Sequence, residues 1–453
     1  MGSRRESAIS FVKRPLFLIV AIGLVIRLVL MPLLSYDYDI YHWALVISNI
    51  NSGNGLYGLD GYYYTPVWGY LLGFISHAQE FLVNIGGMGI RFTDLLPIEN
   101  LQFHYHIATI TSIGFNITMK IPFILCDLAV GYLVHYIVKD RTGDSKKAVI
   151  GFGLWFLCPI VIYMSGVQAM FDTFSALLLL LTVISFYKDK YFFGGVFFSA
   201  AVLLKLFPGF CIVVLLTYII VKNRENGLAK RRVIETIAGA LIMFAVLMLP
   251  VILEGNMSEA LSFVSSRVSD PFTMTFIAVN SILAVLAAFF FGYKMYRTDP
   301  KKADSAMLMY VMLTVAASLL MSVTPQYVIV VMPFLILQIF TSERSYLRCW
   351  ALLGVSAFLG AFILNNFSLF GMLSEYTSFV SPGWVVSSMQ FMETGVGINL
   401  ISLFTGIVNA IQYISILLIF AFYFTDQINE RIPILGSILN RVKGKGGSNN
   451  EPW

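Results

Sequence analysis

The sequence predicts an all-α membrane protein, a polytopic bundle of about 12 transmembrane helices. Apolar residues make up 58% of the 453 residues and charged residues only 12%, against about 45–50% and 25% in ordinary soluble chains. Apolar runs of about 20 residues, long enough to cross a bilayer, recur along the chain. A soluble protein of this size could not cover its surface with so few charges, so the net charge of +5 does not indicate nucleic-acid binding.

Twelve apolar segments are candidate spans. They lie at 15–35, 117–138, 147–165, 172–187, 191–206, 207–222, 233–253, 275–296, 306–322, 325–341, 347–367 and 402–424. The joins at 188–190 and around Pro208 are very short, which predicts tight helical hairpins. Segment 64–116 is apolar only in patches and carries Asp94 and Glu99, so it predicts either short re-entrant helices or two more crossings, 14 in all.

Lysine and arginine predict the orientation, because they collect in cytoplasmic loops. Alternate connections hold 25 of the 30 basic residues and 12 of the 25 acidic ones, a net +13, which leaves −8 for the rest. We therefore expect the N-terminus (1–14) and the tail (425–453) to be cytoplasmic. The long segments 36–116, 254–274 and 368–401 then lie outside, and any active site is extracytoplasmic. All four cysteines fall in predicted spans, so no disulfide framework is indicated.

The first outer loop carries the residues best suited to chemistry. Asp37 and Asp39 follow the first span, with His42 close behind, and an aromatic run reaches Tyr64. A carboxylate near the membrane interface can act as a general base, since the lower dielectric raises its pKa, or it can bind a metal. The alternative is a solvated acidic loop beside an interfacial aromatic belt.

Several motifs occur together in the order found in one enzyme family. Asp39 is followed eighteen residues later by Tyr57 in Gly-Leu-Tyr, and then by Tyr63-Tyr64-Thr65-Pro66. The later motifs are Lys120-Ile-Pro-Phe-Ile-Leu-Cys-Asp127, Phe156-Leu-Cys-Pro159, Gly166-Val-Gln168-Ala-Met-Phe-Asp172, Leu204-Lys205-Leu-Phe-Pro208 and Thr324-Pro-Gln326-Tyr327. The set resembles GT-C-type integral-membrane glycosyltransferases. Within them it is most similar to the first mannosyltransferase of GPI-anchor synthesis and related prokaryotic enzymes that use polyprenol-phosphate mannose.

The resemblance implies a GT-C-like architecture. It covers about the first 225 residues and one later site, and 15–225 would form the catalytic transmembrane module with 226–424 as a variable one. Two departures stand out: the stretch between Tyr64 and Lys120 is longer than in the family, and Asp172 lies two residues further from Gln168. The implied activity is an inverting transfer of a hexose, mannose by resemblance, from polyprenyl or dolichyl phosphate to an acceptor outside the membrane.

The resemblance also implies roles for individual residues. Asp39, or else Asp37, would be the catalytic base; the alternative is a cap for an interfacial helix. Lys205 and Arg267, two of only five basic residues away from the cytoplasm, would hold the donor phosphate. Asp172 would bind the acceptor or cap a helix.

Further expected substrate-binding residues are Gln168, Tyr64, Gln326, Tyr327 and His42, and ordinary packing is the alternative for Gln326 and Tyr327. Arg27 and Lys120 are expected to snorkel to the interface.

The partners implied are a polyprenyl-phosphate sugar, membrane lipids and a lipid, glycan or protein acceptor, without nucleic acid. No cofactor is indicated; a divalent metal stays open, with His104 and His106 as weak candidates. Three other functions fit the same sequence: the same fold with a different donor sugar such as glucose or arabinose, a lipid or solute transporter, and a noncatalytic assembly subunit.

Overall fold

The structure is a computed structural model that describes residues 15–57, 62, 64–86, 96–97, 109–261, 271–321, 324–395 and 397–443. Within these ranges the regular secondary structure is helical except for one two-residue antiparallel ladder, in which β1 (Leu96–Pro97) pairs with β2 (Thr109–Ile110). Residues 444–453 of the predicted tail and the histidines at 104 and 106 lie outside the described residues.

Among the described residues, ten α-helices precede residue 254. They are α1 (Pro15–Leu30), α2 (Asp37–Asn51), α3 (Pro66–Gly86), α4 (Ile113–Thr142), α5 (Ser145–Phe156), α6 (Pro159–Tyr163), α7 (Asp172–Tyr187), α8 (Tyr191–Leu204), α9 (Ile212–Lys222) and α10 (Ala229–Leu253). A π-helical turn, Met164–Gln168, extends α6, and a 3₁₀ turn, Phe207–Cys211, precedes α9.

The second part continues in the same way. Its helices are α11 (Met257–Leu261), α12 (Pro271–Tyr296), α13 (Ala303–Ser318), α14 (Val328–Thr341), α15 (Tyr346–Asn365), α16 (Gly371–Tyr376), α17 (Pro382–Thr394), α18 (Leu400–Tyr423), α19 (Thr425–Arg431) and α20 (Pro433–Lys443). Short 3₁₀ turns lie at Pro300–Lys302, Leu319–Met321, Pro325–Tyr327 and Asn366–Phe370.

Each of the twelve apolar segments contains a helix, so the all-α prediction is confirmed. Within the described ranges, five helices are long and apolar enough to cross a membrane, and the bent pair formed by α5 and 159–168 would be a sixth. The surfaces of these helices that point away from the bundle are strongly apolar; Leu253, for example, is 77% exposed. These features indicate a membrane protein. The count of 12 or 14 crossings stays a prediction, since most of 87–108 lies outside the described residues.

The short join between α4 and α5 is explained by its residues. Gly143 adopts the left-handed conformation (φ 69°) that ends α4, and the Asp144 carboxylate accepts hydrogen bonds from the Lys146 and Lys147 amides at the start of α5.

The hairpin expected at 188–190 forms, and α7 packs against α8. The hairpin expected around Pro208 does not. Lys205 is extended and a 3₁₀ turn follows, so α9 leaves α8 and packs mainly along α12 and α13.

Side-chain contacts show which helix ends lie together at each end of the bundle. At one end, here called the basic end, Lys222 and Arg141 both contact Asp304, at 3.0 and 3.7 Å, although the three residues are far apart in sequence. At the other end, here called the site end, the Thr65 hydroxyl donates to the Leu203 carbonyl. Helix ends predicted to share a side of the membrane therefore do meet in space.

The buried apolar residues of the described bundle form one large cluster and smaller ones beside it. The large cluster draws residues from both 15–225 and 226–424, and α14 lies at its centre with every residue from Val328 to Ile339 buried. A second cluster at the site end is aromatic and joins α2 and α3 to α4 and α7 through Trp43, Trp68, Phe123 and Phe171.

An ion pair is buried inside this bundle. The Arg27 guanidinium donates to Asp127 Oδ2 at 2.7 and 3.1 Å, and both side chains are fully buried. It also donates to Ser165 Oγ and to the Phe156 carbonyl, the last one of α5. The expectation that Arg27 snorkels is therefore wrong, because a buried carboxylate and backbone carbonyls satisfy its donors inside the bundle.

Lys120 is also buried rather than snorkelling. Its ammonium donates to the carbonyls of Met31 and Leu34, at 3.0 and 2.6 Å, where the chain leaves α1. The carbonyls at the end of a helix have no partner within it, and Lys120 supplies one.

We expect Asp127→Asn to lower the free energy of unfolding by about 3 kcal/mol, because it leaves the Arg27 charge buried without its counter-ion. Glu343→Gln is the control: it breaks a surface pair with Lys443, and should cost less than about 1 kcal/mol. Denaturant unfolding in detergent measures both. Equal small losses would contradict a structural role for the buried pair.

We expect residues at the site end to face outward and residues at the basic end to face the cytoplasm. The four native cysteines are all buried, so background labelling should be low. Cys introduced at Ser258 should react with an impermeant maleimide on intact cells, and Cys introduced at Ser342 only after permeabilisation. The reverse pattern would invert the topology.

Candidate active site at one end of the bundle

The turn between α6 and α7 is unusual in its backbone. Met164–Gln168 forms a π-helical turn, and Ala169 follows in the left-handed region with φ 56°. Such turns and such conformations in a non-glycine residue occur often at functional sites. Asp172 then becomes the first residue of α7, and its side chain is fully buried.

Lys205 completes an ion pair with Asp172 at the site end. The helix α8 ends at Leu204, and the extended backbone of Lys205 turns its side chain back into the bundle. The Lys205 ammonium lies 3.3 Å from Asp172 Oδ1, and only 5% of the lysine side chain is exposed. The two residues, brought together from different spans, form a buried pair within a low dielectric.

Aromatic rings enclose the Lys205 ammonium. Its Nζ atom lies 4.3 Å from the centre of the Phe171 ring and 4.8 Å from that of Tyr327. Phe207 packs against Tyr327 with ring centres 4.6 Å apart. Ring faces attract a cation most strongly where water is excluded, so these contacts help to keep Lys205 charged at a buried position.

The same aromatic layer connects this pair to α2. Phe171 stacks on Trp68 at 4.5 Å and contacts Tyr64 at 5.4 Å, and Trp43 of α2 contacts Tyr64 at 5.7 Å. His42 lies beside Trp43, with ring centres 5.3 Å apart. The helix that carries the acidic motif is thereby fixed next to the Lys205–Asp172 pair.

The two carboxylates of that motif lie in the first turn of α2. Asp37 is its first residue and Asp39 its third, while the residue in the N-cap position is Tyr36. Asp39 is half-buried; the side chain of Asp37 is outside the described part of the structure. Neither aspartate holds the N-cap position, although a negative charge in this turn still interacts favourably with the helix dipole.

A second polar cluster lies in the same region. The Gln168 amide donates to Asn365 Oδ1 at 3.3 Å, and the Asn365 amide donates to the Tyr163 hydroxyl at 2.6 Å, all three being buried. Tyr36, just before the acidic motif, lies close enough to Tyr163 to interact with it electrostatically. This cluster joins the end of α15 to the π-helical turn.

The structure brings together Lys205, Asp172 and Tyr327, with Tyr64 and His42 linked to them through the aromatic layer. Gln168 belongs to the cluster with Asn365, and Gln326 is half-buried in the turn that carries Tyr327. Arg267 lies outside the described residues.

Sequence reasoning missed Asn365, Tyr163 and Phe171. An asparagine pair at the end of an apolar span was the one available signal for Asn365. Nothing in the local sequence distinguishes Phe171 from other packed aromatics.

The basic residues outside the cytoplasmic set now separate by role. Arg27 is engaged by Asp127 and Lys120 by the carbonyls that follow α1. Of these three, Lys205 is the one that pairs with Asp172 and lies against the Phe171 and Tyr327 rings. Within the described residues, no three His, Cys, Asp or Glu side chains are grouped as a metal site would require.

Comparison of the whole sequence with known protein families and with curated proteins finds no match. The site geometry, together with the motif resemblance, is therefore what bears on function.

We expect Lys205→Met and Asp172→Leu each to lower the free energy of unfolding by about 3 kcal/mol, because each leaves one buried charge alone. The double variant should be more stable than the sum of the two losses predicts, by about 1–3 kcal/mol. A double-mutant cycle by denaturant unfolding measures this, and strictly additive losses would mean that the two charges do not interact.

Proposed function

We propose that this protein is an inverting glycosyltransferase that moves a hexose, mannose in the first instance, from polyprenyl phosphate to an acceptor at the outer membrane face. The observation that carries the proposal is the buried Lys205–Asp172 pair, held by Phe171 and Tyr327 beside the helix that bears Asp39. A lipid-linked sugar is already activated, so the reaction needs a base and a cation for the leaving phosphate but no nucleotide site.

The proposed reaction is a single displacement. The acceptor oxygen attacks C1 of the sugar, its proton passes to Asp39 or Asp37, and the bond from C1 to the phosphate oxygen breaks. The departing polyprenyl phosphate carries the developing negative charge, which Lys205 stabilises. An ammonium group has three N–H donors on a flexible stem, so Lys205 can turn toward a phosphate oxygen while Asp172 keeps its charge in place.

The site location suits such substrates. An isoprenoid tail stays in the bilayer while its sugar reaches the interface, where α2 and the ends of α7 and α8 meet. We also propose a GT-C-like arrangement of about 12 spans with cytoplasmic termini, which the charge asymmetry and the sorting of helix ends support.

We expect purified protein to transfer mannose from polyprenyl-phosphate mannose to a suitable acceptor with inversion at C1. The Asp37→Asn/Asp39→Asn double variant should lose about 10²-fold or more in rate because the base is gone, and Lys205→Met a similar amount. Asp426→Asn, an exposed carboxylate near the basic end, is the control and should keep full rate.

Two results would overturn the proposal, and a third would change its donor sugar. Full transfer by the double aspartate variant would remove the mechanism. Flux of substrate across proteoliposomes without a covalent product would favour a transporter. Transfer of glucose or arabinose in preference to mannose would replace the donor sugar while leaving the reaction type in place.

A further inference from the structure

A groove of about 330 Å³ lies at the site end, beside the candidate active site and not part of it. Its walls are α3 on one side and the last turn of α10 on the other, and the end of α2 and Tyr57 form its floor. This volume is at the lower end of the range, about 300–1,000 Å³, that small-molecule sites occupy.

The interior of the groove is apolar and continuous with the lipid-facing surface. Phe74 of α3 lines it and is 69% exposed, and Val251 of α10 lines it next to the exposed Ile252 and Leu253. Gly69 and Gly73 give the α3 wall no side chain there. A Cβ placed at Gly73 meets no atom within 4 Å, so the space in front of it is open.

The rim of the groove is rich in hydrogen-bond acceptors. The hydroxyls of Tyr57 and Tyr70 already donate to the carbonyls of Tyr64 and Leu247, both at 3.0 Å. Their oxygens therefore offer lone pairs, and the Glu254 carboxylate beside them is an acceptor only.

The Glu254 carboxylate gives the rim a negative charge, and the lining residues also include His77. Burial, the neighbouring Tyr70 and the carboxylates of Glu254 and Glu259 raise the pKa of Tyr57 above its ordinary value. Glu254 and Glu259 thus both act on the residue that closes the groove. Such a rim favours a head group with O–H donors and disfavours an anionic one.

The groove adjoins the Lys205 site through one aromatic layer. Tyr57 bonds to the backbone of Tyr64, whose ring contacts Phe171 at 5.4 Å, and Phe171 lies against the Lys205 ammonium at 4.3 Å. A molecule seated in the groove would present its head group near the buried ion pair. The Lys205 ammonium on one side of this layer attracts the phosphate of a lipid-linked sugar. The acidic rim on the other side repels a phosphate.

We propose that this groove binds the hydrocarbon chain of a second lipid, one with an uncharged, hydroxyl-bearing head group. Under the proposed function this lipid is the acceptor, and that identification alone rests on the transferase assignment. The binding itself requires no catalysis, so it can be tested in the absence of a donor.

Photocrosslinking tests the proposal in the full-length protein in detergent. The probes are a dialkylglycerol and a phosphatidic acid that carry the same diazirine chain, and mass spectrometry locates the label. We expect the dialkylglycerol to label 70–77 and 249–254, and the phosphatidic acid to do so at least about threefold less because of like-charge repulsion.

Gly73→Leu should reduce this labelling by about tenfold, since its side chain fills space that the lipid chain would occupy. Gly406→Leu is the matched control: like Gly73, Gly406 is a helical glycine with no atom within 4 Å of its Cβ position, and this variant should label normally. Unchanged labelling of Gly73→Leu would refute the groove as the lipid site.

A Glu254→Gln/Glu259→Gln variant provides a second measurement that leaves the apolar walls intact. It should bring labelling by phosphatidic acid up to that by the dialkylglycerol. If phosphatidic acid labels the native protein as well as the dialkylglycerol does, the proposed head-group selectivity is wrong. If the native protein is labelled normally by the dialkylglycerol but transfers no sugar, the proposed function is contradicted and the lipid site is not.

Discussion

The buried pair of Arg27 and Asp127 is the interaction on which the arrangement of the site end depends. A single guanidinium contacts a carboxylate on α4, a hydroxyl in the π-helical turn and the carbonyl that ends α5. It therefore joins four segments at the 49° bend between α5 and 159–168. Pro159 interrupts the backbone hydrogen bonds at this bend, and polar groups freed inside an apolar bundle need partners. Arg27 provides them, and the turn leading to Gln168 and Asp172 is fixed as a result.

The same logic explains why the buried charged residues of the described part occur as pairs or as capping groups. Arg27 meets Asp127, Lys205 meets Asp172, and Lys120 contacts the carbonyls after α1. A lone charge in a low dielectric is costly, so these side chains can remain only where partners from other helices converge. The structural pair and the candidate catalytic pair thus obey one constraint, and their location distinguishes them. Lys205 lies where α8 ends, in the aromatic layer that reaches α2. Arg27 lies over the Phe156 ring, 4.2 Å from its centre, and donates to backbone carbonyls and to Ser165 inside the bundle.

The candidate site was predictable to the extent that it depends on motifs and on sidedness. Positive-inside counting placed Asp39, Asp172 and Lys205 at one end, and Lys205 does contact Asp172 there. The partners that shape the site could not be foreseen. Asn365 reaches Gln168 across 197 positions of sequence, and pairings at such separations follow from how the helices pack. Local sequence records which helix faces are apolar and leaves open which face meets which.

The sequence by itself determined that the chain is helical, rich in membrane-length apolar segments and sharply divided in charge. Length, hydropathy and the count of lysines and arginines carry those properties residue by residue. Only the tertiary structure decided that Arg27 and Lys120 are buried, that α8 and α9 separate at Lys205, and that a groove opens between α3 and α10. These outcomes depend on which partners are near enough to satisfy a buried donor or to fill the space before a glycine. Contacts of that kind exist only once distant segments have packed together.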